Sequence, residues 1–183
     1  MGRDGRTAIV LALLALPAGG AAASRTKGVD GGVITVNRGA VGVTLGMTRA
    51  QVIARLGRPL REWREGLMRY GKRGAMFDVY RRGSRVEKLG IAAGASATAR
   101  RRFRLPDGNR VFERGGIRRL KRHYGRRVKL IHYDLSGEPI YRISGRYRGR
   151  RVVTDFSFHR GRAESVFIFP CPPSGSCGAA PPS

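Results

Sequence analysis

The chain has 183 residues and a formal net charge of +25, from 37 basic and 12 acidic side chains, with two cysteines and one tryptophan. That length supports one domain with a real core, or two very small ones. Only five of the basic residues are lysine. Arginine-rich coding explains such a balance without any ligand, and an anionic partner explains it functionally.

Residues 1–23 read as a cleavable secretory signal peptide. Arg3 and Arg6 make a positive n-region, Ala8–Leu16 is an unbroken apolar run, Pro17, Gly19 and Gly20 break it, and Ala21-Ala22-Ala23 supplies the small residues of a cleavage site before Ser24. The run falls short of the roughly 20 apolar residues a spanning helix needs, so no transmembrane segment is expected after cleavage. The cut removes Arg3, Arg6 and Asp4, which lowers +25 by one, to +24. No cysteine follows the cut to take a lipid anchor. Export puts nucleic acid out of first consideration. The accessible partners are then acidic proteins and anionic envelope polymers or lipids, with a solvated basic surface as the alternative.

Residues 24–91 are expected to form one helix-plus-meander unit. Ser24–Gly32 is a lead-in and Val33–Val36 a short strand. The spacing predicts a helix over Arg49–Leu56, with Thr48 as N-cap, Gln51 completing a capping box, Val52, Ile53 and Leu56 on one face, and Gly57 and Pro59 ending it. Two turns are unstable alone, so packing must hold it. Trp63 follows in Arg61-Glu62-Trp63-Arg64-Glu65, either a cap on the sheet or an interface anchor. Leu67–Tyr70, Ala75–Tyr80 and Arg85–Ile91 are β-prone runs joined by short polar, Gly-bearing separators, which predicts an antiparallel meander. Phe77, Val79 and Leu89 are its core candidates, with Arg69 and Asp78 alternating outward.

Residues 92–102 have no amphipathic period and are expected to be a linker or mobile loop ending in Arg100-Arg101-Arg102. Residues 103–170 repeat the plan. Pro106–Asn109 is a turn between strand-like Phe103–Leu105 and Val111–Glu113. Ile117, Leu120 and Tyr124 mark a helix closed by Gly125. Strands are expected at Val128–Tyr133, Pro139–Tyr147, Val152–Phe158 and Glu164–Phe169. The two final hairpins share a pattern of aromatic, basic turn, Gly and Glu-x-aliphatic-x-Ile, which suggests a degenerate tandem repeat, possible as one continuous sheet. Residues 171–183 form a Pro/Gly-rich tail. In an oxidising compartment Cys171 and Cys177 are most simply a local disulfide, stabilising the tail by about 2 kcal/mol on the chain-entropy model. The fold class expected is α+β, with short helices packed on antiparallel meanders.

Gly42-Val-Thr-Leu-Gly46-Met47-Thr48, the helix with Gln51, Val52 and Leu56, and Gly57-Arg-Pro59 together resemble the SmpA/OmlA domain, the BamE-like family. In that family a Gly-Met-Thr turn opens a helix and Leu-Gly-x-Pro ends it. The same architecture occurs in tandem in β-lactamase inhibitor proteins. The resemblance implies two BamE-like units and action by binding. It covers Gly42–Pro59 well, Leu67–Ile91 loosely and the second half in layout alone. Such a motif specifies a fold rather than an activity.

No spacing assembles a catalytic, cofactor or metal set. His123, His132 and His159 lack metal-ligand spacing, and no nucleophile motif or phosphate loop is present. The expected function is a secreted, non-catalytic basic binding module with no cofactor, contacting a protein or an anionic envelope component. The alternatives are an envelope-acting hydrolase with an unrecognised site and a structural protein with no dedicated ligand. The candidate binding residues are Trp63, Arg61, Arg64, Arg100, Arg101 and Arg102.

Overall fold

Helix α1, Arg49–Leu56, begins where Thr48 caps it. The Thr48 hydroxyl accepts from the Gln51 N–H at 3.3 Å, and the Gln51 side chain accepts from the Thr48 N–H at 2.8 Å. It ends at Gly57, whose φ of 82° is open to glycine and strained for other residues. Val52 and Leu56 are its buried face. The computed structural model that contains this helix describes residues 29, 31–93, 96–134, 137–172 and 177, so the expected signal peptide lies outside the described residues.

Around α1 the first half places β1 (Gly32–Thr35), β2 (Gly39–Ala40), β3 (Val43–Thr44), β4 (Arg61–Glu62), β5 (Leu67–Lys72), β6 (Ala75–Arg82) and β7 (Arg85–Ala92). The second half places α2 (Ala97–Arg102), β8 (Phe103–Arg104), α3 (Gly116–Tyr124), a 3-10 turn (Gly125–Arg127), β9 (Val128–Tyr133), β10 (Pro139–Tyr147), β11 (Arg150–His159) and β12 (Arg162–Pro170). Three hairpins turn on an Arg-Gly pair with both residues at positive φ: Arg73-Gly74, Arg148-Gly149 and Arg160-Gly161. That is the backbone a two-residue I′ turn requires, so each fixes the register of its strands.

The large sheet has eight strands in the order β4-β5-β6-β7-β12-β11-β10-β9, all pairs antiparallel. Each half supplies a four-strand meander, and the two last strands join at the centre. The order is therefore palindromic about the β7–β12 seam, where Leu89 faces Ile168 and Ile91 faces Val166. The fold class is α+β, with few short helices and mainly antiparallel sheets.

A small sheet, β3-β2-β1-β8, includes one parallel pair, β1 with β8. This changes two expectations. Residues 92–102 are not an irregular loop throughout: α2 starts at Ser96, whose hydroxyl accepts from the Ala99 N–H at 3.3 Å, and it buries Ala99. One buried alanine leaves no apolar period in the sequence to announce that helix. The Leu105 N–H donates to the Asn109 carbonyl at 2.8 Å across the Pro106–Asn109 turn, but Val111–Glu113 is not a strand. Phe103 and Arg104 pair with β1, and Val111 and Phe112 are buried within a turn.

One core lies on one face of the large sheet. Ile34, Ala40, Val43 and Phe103 of the small sheet, Val52, Leu56, Ala99 and Leu120 of the helices, and Tyr70, Phe77, Leu89, Phe156 and Ile168 of the large sheet belong to it. Full burial of such a side chain stabilises by about 1.5–3 kcal/mol. Asn37 ties the small sheet to β11: its N–H donates to the Thr154 hydroxyl at 2.7 Å, and that hydroxyl donates to the Asn37 carbonyl at 3.0 Å.

Candidate functional site

Residues directly opposite on paired strands point to the same face. Followed across the sheet, the register gives one central row on the face away from the core: Arg61, Arg69, Asp78, Gly90, Phe167, Asp155, Arg142 and Lys129, one from each strand. Its charges mirror one another about the seam. Each side reads basic, basic, acidic, inward to Gly90 and Phe167.

The acids are held in matching forks. Arg69 donates to both carboxylate oxygens of Asp78 at 2.8 and 2.7 Å, and Arg142 to both of Asp155 at 2.7 and 2.6 Å. Two parallel charge-assisted bonds fix the guanidinium plane as well as its position. The bond to Asp78 raises the Arg69 pKa further above its ordinary value. Asp78 thus lies on the outward face expected of it and is buried there, 7% exposed. The Arg69 guanidinium holds both of its oxygens.

Aromatic rings complete the first half and the centre. The half-buried Trp63 ring has the Arg61 guanidinium 4.6 Å and the Arg69 guanidinium 5.4 Å from its centroid. Both distances are within cation–π range. The Lys88 ammonium sits 4.5 Å from the Phe167 ring and 4.9 Å from the Tyr80 ring. Burial lowers the Lys88 pKa, with Asp155 and Asp78 opposing the shift. A Cβ on Gly90 would stand 2.9 Å from Phe167, so glycine lets that ring lie across the seam.

The halves differ in what covers them. On the second side Arg142 also donates to the Cys177 carbonyl, and the Cys171 N–H donates to the Arg151 carbonyl at 2.9 Å. The Cys171–Cys177 disulfide is formed. Val153 and Cys171 are buried there, outside the main core. Cys177 therefore lies against the Arg142–Asp155 fork. The first half and the seam, with Trp63, Arg61, Arg69, Tyr80, Lys88 and Phe167, make the accessible patch.

Of the residues expected from sequence, Arg61 and Trp63 lie in this patch. Arg64 is exposed in the turn that follows it. Arg100, Arg101 and Arg102 lie on α2, whose Ala99 joins the core, so they belong to the opposite side of the sheet. Arg69, Asp78, Tyr80, Lys88, Phe167, Arg142 and Asp155 were not among the expected binding residues. The sums of the paired numbers place Arg69 opposite Asp78 about the Arg73-Gly74 turn, a signal present in the sequence. Nothing local announces Phe167 over Gly90.

The histidines are dispersed. His123 Nδ1 lies 2.6 Å from Asp107, His159 Nδ1 lies 2.7 Å from Glu138, and His132 is opposite Ile140 on β9. Among the described residues no group of three or more His, Cys, Asp or Glu could hold a metal ion. Comparison with family models, curated proteins and solved structures returns no match to this chain.

Proposed function

We propose that this chain is a secreted, non-catalytic binding module of two tandem BamE-like units, and that its helix-free sheet face holds an acidic protein surface. The observation that carries the reading is the row of preoriented arginine forks and cation–aromatic stacks around Trp63, Tyr80, Lys88 and Phe167. Trp, Tyr and Arg are the residue types that dominate protein-interface energetics. Eight strands at about 4.8 Å spacing give a face roughly 34 Å wide, enough for a standard interface. Arg61, Arg69 and Lys88 against Asp78 leave the accessible patch positive, so an acidic surface complements it. A polymer held by charge alone would not need rings fixed in place. The signal-like residues 1–23 support export, and so does a disulfide, which persists in oxidising compartments. Within the Gly42–Pro59 motif, Thr48 and Gln51 as caps, Gly57 as stop and Val52 and Leu56 as core contacts support the family reading, which concerns fold rather than activity.

The test is affinity capture of the mature protein against an envelope extract, with partners identified and binding measured between low and physiological salt. Trp63→Ala is expected to weaken the interaction by about 30-fold, the loss of a 2 kcal/mol hot spot, with shallow salt dependence. Steep log-linear loss with salt, with Trp63→Ala silent, would assign the face to a polyanion instead. Turnover of an envelope substrate that is lost on substituting His123, His132 or His159 would overturn the non-catalytic reading.

A further inference from the structure

The turns of two hairpins, β6–β7 and β10–β11, lie at the same end of the large sheet, because β6 and β10 run in the same direction in an antiparallel order. Both turns are rich in arginine. Beside them the loop at Gly46 and the C-terminal end of β12 enclose a cleft of about 640 Å³, lined by Arg82, Arg85, Arg148 and Arg150 with Glu87 and Tyr147. A second cleft of about 680 Å³ runs on the other side of Tyr147 and Arg148, and Arg38 and Arg55 line it. The two share Tyr147 and Arg148 as a common wall. Among the described residues Glu87 is the only acid lining either cleft.

Several of these arginines are held in place from behind. Arg85 donates to the Gly46 carbonyl at 2.9 Å. Arg38 and Arg148 stack on the Tyr147 ring at 5.8 and 5.4 Å. A hydrogen bond with Thr44, then the two guanidinium charges, lowers the Tyr147 pKa. Arg82 pairs loosely with Glu87 at 3.7 Å and its side chain is 85% exposed. Among the described residues lining the clefts, six guanidinium groups face one carboxylate, which leaves a net positive local charge.

We infer that these two clefts form one site for a linear chain of phosphates, separate from the aromatic sheet face and on a different edge of the molecule. A single anion satisfies two or three guanidinium forks and leaves the others in mutual repulsion. A ligand with repeated charges satisfies both clefts at once. Every cation in the lining is arginine, whose planar fork suits phosphate oxygens. The apolar lining residues Leu45, Val86 and Val152 are nearly buried, and the cations are spread over both clefts rather than gathered around one headgroup. That favours a soluble chain over a lipid headgroup.

The test uses the mature full chain and inorganic polyphosphate, tripolyphosphate and orthophosphate, followed by calorimetry, with phosphatidylglycerol vesicles as a separate arm. Polyphosphate is expected to bind and orthophosphate to show no saturable heat. With about six contacts, affinity should fall roughly 300-fold between 50 and 200 mM salt, on a slope near −0.7 per contact. Arg148→Asn with Arg150→Gln should weaken binding by about tenfold or more and flatten that slope by about 1.4. Asparagine is chosen because Arg148 sits at φ 49°, which asparagine tolerates. Arg122→Gln with Arg126→Gln, exposed and outside both clefts, removes the same charge and should leave affinity within about twofold. Trp63→Ala should leave it unchanged, which separates this site from the sheet face. Equal losses in both double variants would reduce the site to diffuse charge and overturn the proposal, as would binding to the vesicles without binding to polyphosphate. Unchanged thermal melts establish that each variant is folded.

Discussion

Asp78 and Asp155 occupy matching places in the two halves, yet their surroundings differ. The Arg69 and Asp78 side chains are 36% and 10% exposed; those of Arg142 and Asp155 are 10% and 2% exposed, beside Cys177. Both carboxylates are buried, so what separates the two is the arginine left behind: an uncompensated charge that stays buried, as on Arg142, costs about 3–5 kcal/mol, whereas water reaches and screens the Arg69 charge, which lowers the loss to about 1 kcal/mol. Asp155→Asn is therefore expected to destabilise the fold by about 3 kcal/mol, and Asp78→Asn by about a third of that. Urea unfolding of the two variants checks this. Equal losses would show that the deeper burial of Arg142 does not set the cost.

At the scale of elements, α1 is a two-turn helix that stands by its caps and its buried face. Thr48 satisfies one orphan N–H, and Gln51 satisfies the N–H of Thr48. Thr48→Ala removes the first of these. It is expected to cost about 1 kcal/mol and to lower the melting temperature by about 2–4 °C in a domain of this size. Thr48→Ser retains the hydroxyl and should melt close to the parent chain. A neutral Thr48→Ala would mean that core packing of Val52 and Leu56 holds the helix without its cap. The hairpins have a different support, since the Arg-Gly turns preset the strand register before any core forms.

Over the whole molecule, the palindromic order joins two meanders into one sheet through β7 and β12, and residues of both halves share one core. The halves then have no separate core to retain when the other melts. Trp63, the one tryptophan, reports on the first half, and far-UV circular dichroism reports on both. The two signals are expected to give coincident urea transitions. Fluorescence changing before or after the dichroism would show that each half unfolds alone. The same architecture sorts the charge. Glu62, Asp78, Glu87, Glu113 and Asp155 are all engaged in ion pairs with arginine, so the surplus of arginines faces solvent.

What could be read along the chain is what neighbours in sequence settle between themselves. The Thr48–Gln51 box, the stop at Gly57, the Ile117–Tyr124 helix and the hairpin strands follow from spacings of a few residues. The Arg69–Asp78 pairing follows from the position of the Arg73-Gly74 turn. The Cys171–Cys177 bond needed only two close cysteines. Helix α2 escaped because a single buried alanine leaves no periodic trace. The central row needed more: it exists because β7 and β12 pair in one register, and that pairing joins Leu89 to Ile168, residues from opposite halves of the chain. No turn sets that register. It follows from the burial of Leu89, Ile91, Val166 and Ile168 together on one side, which turns Gly90 and Phe167 to the other. The arginine clefts arise in the same way, from hairpins far apart in sequence that an antiparallel order brings to one end of the sheet. Local geometry is encoded in adjacent residues, while the meeting of distant ones is chosen by the shared core, which exists only once both halves are folded.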